Sequence, residues 1–96
     1  MKATDPSPLV AAASTGQALL ELLRRRGVTY LFANSGTDFA SISEGLASAA
    51  EAAIPVVEAV LVPHENIAVG MAYGVAMVTG APQAVMVHVN VGTANA

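Results

Sequence analysis

The side chains best suited to proton transfer in this chain are two. Glu65 sits in Val62-Pro63-His64-Glu65-Asn66, just before a run of small and apolar residues, and His88 closes the apolar stretch that begins at Ala84. A positioned carboxylate or imidazole can exchange a proton with a reacting group near neutral pH. His64 and Glu65 do not open a zinc-protease motif, because Ala68 stands where His-Glu-x-x-His needs its second histidine. Each group also has a plainer reading. A carboxylate in the first turn of a helix is favoured by the helix dipole alone, and a lone histidine at a strand end is commonly a satisfied structural residue.

The helix behind Glu65 favours the chemical reading. Ala68, Gly70, Ala72, Gly74 and Ala76 leave two helix faces with almost no side-chain bulk. Glycine inside a helix costs about 0.8–1 kcal/mol relative to alanine, so Gly70 and Gly74 imply close approach by another helix or a ligand. A carboxylate at the mouth of such an interface is expected to be desolvated and its pKa pushed up.

The elements that must position these groups are legible in outline. Ser14 to Arg26 reads as a helix, with Ser14 or Thr15 as its cap, Gln17 in the capping-box position and Gly27 as the residue that ends it. Arg24, Arg25 and Arg26 fall in its last turn, where cations suit the dipole and solvent. Val28 to Ala33 is a β-branched and aromatic run of the kind buried on both faces of a parallel sheet. A second helix is expected over about Phe39 to Ala52, a strand over Val56 to Leu61, a third helix from about His64 to Thr79, and a strand over Gln83 to Val89. Asn90 to Thr93 reads as a turn, and Asn95 and Ala96 as the start of another helix. Alternating helices and strands with short links give an α/β fold with a parallel sheet and flanking helices. Three strands are few for an open α/β sheet, so residues 14–96 read as the N-terminal part of a larger domain, preceded by a flexible leader over residues 1–13.

In such sheets ligands bind beyond the carboxyl ends of the strands. Residues 34–38, 63–66 and 88–95 all fall at that edge. Gly92-Thr93-Ala94-Asn95 can present backbone N–H groups to a ligand, although neither a GxGxxG fingerprint nor a GxxxxGK[ST] loop occurs in the sequence.

Composition narrows the partners. Hydrophobic residues make up 54% of the chain and charged residues only 11%, against about 25% charged in typical domains. The chain has too few charges to cover its own surface, and its longest weakly polar run, Ile67 to Ala81, is too short and too interrupted by glycine to span a membrane. It reads instead as a domain whose faces are covered by something else. Lys2, Arg24, Arg25 and Arg26 are its only cations, so the segment from Gly27 onward offers nothing to displace counterions from nucleic acid or to grip a diphosphate. Cysteine is absent, which removes disulfides and thiolate metal sites. With no signal-peptide pattern at the start, the cytoplasm is the default compartment.

Three segments, in order, resemble one family. Leu31 to Thr37 (Leu31-Phe32-Ala33-Asn34-Ser35-Gly36-Thr37), Pro63 to Gly74 and His88 to Asn95 are similar to the N-terminal pyrimidine-binding domain of thiamine diphosphate enzymes, in the branch that includes acetolactate synthase, benzoylformate decarboxylase and benzaldehyde lyase. The resemblance covers about Ser14 to Ala96, and its middle segment is the most specific. It implies that Glu65 contacts N1′ of the cofactor's aminopyrimidine and promotes the imino form that removes the thiazolium C2 proton. It further implies that His88 and Thr37 face the substrate, and that Asn34, Gly36, Gly92, Thr93 and Asn95 shape the cofactor pocket.

The same resemblance implies a homodimer or homotetramer in which the diphosphate-binding domain of a neighbouring subunit supplies Mg2+ and its ligands, with no metal ligand in this chain. The substrate would be a small 2-oxo acid or aldehyde, and the activity that of a lyase or transferase (decarboxylase or carboligase). The isolated chain would be inactive. Ser35 stands where the family's first motif usually has proline, and Val91 where the synthases have the proline of a Gly-Pro-Gly turn. The alternative from another class is a non-catalytic interaction module that dimerises through its Gly/Ala-rich helix.

Overall fold

A computed structural model describes residues 12–96; the leader expected over 1–13 lies almost wholly outside them. The first helix, α1 (Thr15–Arg25), starts at Ser14, whose hydroxyl accepts the N–H of Gln17 at 3.2 Å. Only half of the expected capping box forms. The Gln17 side chain is buried and its Oε1 instead accepts from Ser48 Oγ at 3.2 Å on the next helix. Gly27 ends α1 with φ of 87°, the left-handed region that glycine enters without a Cβ penalty.

The remaining elements follow in order: β1 (Tyr30–Ala33), a 3-10 turn (Thr37–Phe39), α2 (Ala40–Glu51), β2 (Glu58–Leu61), α3 (Glu65–Thr79), β3 (Ala84–Met86) and α4 (Val89–Asn95). The three strands are all parallel, in the order β2-β1-β3, with Phe32 of β1 opposite Val60 of β2 and Val85 of β3. The fold is therefore α/β, and β1 is its central strand. The chain steps from β1 to β2 through α2, then crosses back over β1 through α3. Right-handed crossovers in opposite directions place their helices on opposite faces.

Two cores result. Leu31 of β1 packs with Leu20, Val28, Ile42 and Val57 on the α1/α2 side, whereas Phe32, its immediate neighbour, packs with Val62, Ala68 and Ala72 under α3. Adjacent strand residues point to opposite faces, so β1 is buried on both, as its uninterrupted apolar run predicts. α1 and α2 meet backbone to backbone. A β-carbon on Gly45 would lie 2.8 Å from the Gln17 amide nitrogen, and one on Gly16 would collide with the Ser41 carbonyl.

The third helix is different. Ala68 and Ala72 face the sheet, but Ile67, Met71, Tyr73, Met77 and Val78 are exposed, and β-carbons on Gly70 or Gly74 would meet nothing within 4 Å. A helix that is apolar all round is normally buried all round. Nothing among the described residues covers its outer half. Among the described residues, no helix is long and apolar enough to cross a membrane.

The carboxyl end of the last strand departs from expectation. The strand stops at Met86 rather than continuing to Val89, and residues 90–93 are helical rather than a turn. The chain turns sharply at Val89, whose φ is 49°. A β-branched residue in that region is a steric outlier, and nothing in its type announces a turn.

Candidate functional site

The polar groups at the carboxyl edge of the sheet fall into two clusters joined by α4. In the first, Glu65 is the opening residue of α3 and is buried, with 8% of its surface exposed. Its carboxylate is held by the residue after β1 and by the last residue of α4. Asn34, the residue after β1, donates from Nδ2 to Oε2 at 2.5 Å, and Asn95 of α4 donates from Nδ2 to Oε1 at 3.5 Å. Gly92 closes against it: a β-carbon there would stand 3.4 Å from Oε2 and 3.2 Å from Val87 Cβ. Behind Glu65, His64 caps the helix, its Nδ1 accepting the N–H of Asn66 at 3.1 Å.

This arrangement reverses the electrostatic expectation for Glu65. Its pKa is lowered from the ordinary carboxylate value, not raised. Hydrogen bonding from its own backbone N–H is the largest cause, followed by the Asn34 amide; burial opposes them, and Asn95 and His64 add smaller lowering effects. The desolvation foreseen from the sequence is present but is outweighed. Hydrogen bonds to the charged form win. Glu65 is an ionised acceptor with its two oxygens fixed in place.

In the second cluster His88, the residue before α4, is 32% exposed, and its Nδ1 lies 2.6 Å from Asp38 Oδ1. Gly36 forms the floor beneath it. A β-carbon on Gly36 would collide with the imidazole ring and come within 2.7 Å of His88 Cβ. Thr37, exposed at the start of the 3-10 turn, lies between Gly36 and Asp38 in the chain. The two clusters are linked through the backbone, since the Gly92 N–H donates to the His88 carbonyl at 3.0 Å.

Of the residues singled out from sequence, Asn34, Glu65, Gly92 and Asn95 come together around one carboxylate, and Gly36 and His88 form the second cluster. One expectation does not hold: the Gly92 N–H is tied into α4 and is no free donor for a ligand. The Thr93 hydroxyl donates to the Val89 carbonyl of its own helix at 2.8 Å. Asp38 was missed as a site residue. The available signal was its place in the Gly36-Thr37-Asp38 turn at the edge where ligands bind.

An apolar pocket of about 180 Å³ lies on the other face, between α2 and the ends of β1 and β2, lined by Leu31, Phe39, Ile42 and Leu61 among others. It holds no titratable side chain and no part of either cluster. Among the described residues, no group of three or more histidines, aspartates or glutamates is arranged to hold a metal ion.

The family model described as thiamine pyrophosphate enzyme, N-terminal TPP binding domain, matches residues 13–96. No curated protein and no solved structure matches the chain.

Proposed function

Because the chain belongs to the thiamine pyrophosphate enzymes through their N-terminal TPP-binding domain, we propose that it supplies the pyrimidine half of a thiamine diphosphate site in a 2-oxo acid decarboxylase or carboligase, with Glu65 as the group that engages the aminopyrimidine. The observation that carries this reading is the hold on Glu65: a buried, ionised carboxylate gripped by Asn34 and Asn95, with glycine alone standing against it at position 92.

The residues fit that end of the cofactor. A carboxylate oxygen has two acceptor positions, so each oxygen of Glu65 can accept a ring N–H in addition to its asparagine partner. The fit does not extend to the diphosphate, since no lysine or arginine follows Arg26. On this reading the diphosphate and Mg2+ are held by the diphosphate-binding domain of a neighbouring subunit, in a homodimer or homotetramer. When bound, thiamine diphosphate supplies an acidic thiazolium carbon able to add to a substrate carbonyl.

The chain's own residues then have separable tasks. Glu65 accepts and returns a proton at a fixed position, Asn34 and Asn95 set the direction of its oxygens, and His88 with Thr37 faces a small 2-oxo acid or aldehyde. A neighbouring domain seated on α3 would exclude water from Glu65, and that burial raises a carboxyl pKa. Cover would thus move Glu65 from a pure acceptor toward a group that shares its proton.

Glu65→Gln in the assembled enzyme tests the proposal. Turnover falls by about 10²–10⁴-fold, the usual worth of a general acid–base group, with the fold intact. The 96-residue chain alone is expected to show no thiamine-dependent turnover, and detectable turnover would overturn the need for a second domain. The bare outer face of α3 favours one rival, a non-catalytic module that pairs through this helix. That reading requires Glu65→Gln to leave every activity unchanged.

A further inference from the structure

Imidazole carries its proton on either ring nitrogen, and which one is fixed by the partner of the other. The chain's two histidines have opposite partners. Nδ1 of His64 accepts a backbone N–H from Asn66 at 3.1 Å, so its proton sits on Nε2. Nδ1 of His88 faces a carboxylate oxygen of Asp38 at 2.6 Å, and an ionised carboxylate can only accept.

We propose that Asp38 is a positioning residue that holds His88 as its Nδ1–H tautomer, leaving Nε2 as the one nitrogen of that ring able to take a proton from a substrate. Two features fix the ring: Asp38 engages Nδ1, and Gly36 lies so close to the ring that no β-carbon could fit there. Held in this way, the ring can take up a proton at Nε2 and return it there without turning over. That His88 faces substrate rests on the function proposed above; its tautomer does not.

The test is a long-range proton–nitrogen NMR correlation on the full chain labelled with 15N-histidine. It is recorded at about pH 8, above the ordinary imidazole pKa of about 6.5, with His64→Gln to assign the two rings. His88 is expected to show a protonated Nδ1 and a bare Nε2, and His64 the reverse. Asp38→Ala should abolish the Nδ1–H preference of His88 while leaving His64 unchanged. A wild-type His88 carrying its proton on Nε2, or an Nδ1–H preference that survives Asp38→Ala, would overturn the proposal. The wild-type spectrum and its assignment do not depend on Asp38→Ala, so a poorly folded Asp38→Ala chain leaves the test intact. In the assembled enzyme Asp38→Ala lowers kcat, and full turnover in a variant that has lost the tautomer would overturn the positioning role. No cofactor enters the NMR measurement, so its failure is distinguishable from a failure of the thiamine reading.

Discussion

The Asn34 amide reaches across from the end of β1 to donate to Glu65 at the start of α3, with 2.5 Å between Nδ2 and Oε2. The two residues are brought together because β1 and β2 are parallel neighbours in register, so the loops that follow them emerge on the same edge. The bond stabilises the ionised form of Glu65 and is the second largest cause of its lowered pKa, after the backbone N–H of Glu65 itself.

Asn34→Ala should therefore raise the Glu65 pKa toward the ordinary value. Because the folded value lies below the unfolded one, Glu65 contributes stability that is fully present above the unfolded pKa and lost as pH falls through the folded pKa. The variant should lose part of that contribution at neutral pH and unfold in acid with a shallower dependence. A carboxyl-carbon NMR titration reads the shift directly, and an unchanged titration of Glu65 would contradict the assignment.

The glycines of α3 should respond with opposite signs in two assays. No described residue occupies the space above Gly70 or Gly74, so Gly70→Ala and Gly74→Ala should each stabilise the chain alone by about 0.8–1 kcal/mol through helix propensity. If a neighbouring domain seats there, the same methyl groups weaken assembly. Denaturant unfolding of the chain and sedimentation of the assembled enzyme separate the two effects.

Gly45 gives the contrasting case. A β-carbon there would lie 2.8 Å from a backbone nitrogen of α1 and 2.9 Å from a backbone carbon, and backbone cannot rotate away. Gly45→Ala should destabilise the chain by about 1–3 kcal/mol, the usual range for overpacking. A urea midpoint equal to that of the wild-type chain would show that α1 and α2 do not cross at this point.

The first five elements are legible in the sequence because their local signals agree with the tertiary structure. Ser14 caps α1, Gly27 and Gly80 end helices with positive φ, and β1 reads as doubly buried and is. β3 is legible as a strand though not in where it ends, and α4 is not legible as a helix. The start of α4 depends on Val89 adopting a conformation its type disfavours, which only the packing around it can impose. The carboxylate of Glu65 is legible as a site group, yet the direction of its pKa shift is not. That direction depends on which amides reach it and on whether α3 is covered, and both are properties of the fold. The role of Asp38 is not legible for a related reason. Its partner His88 lies fifty residues away, and no spacing rule connects them.

The central claim is that Glu65 activates thiamine diphosphate, and exchange of the cofactor's C2 proton with deuterated solvent reports on that function before any substrate is bound. In the assembled enzyme, Glu65→Gln should slow this exchange by about 10²–10⁴-fold while the circular dichroism and assembly state stay as in the wild type. Exchange at the wild-type rate in a folded, cofactor-loaded Glu65→Gln enzyme would contradict the account.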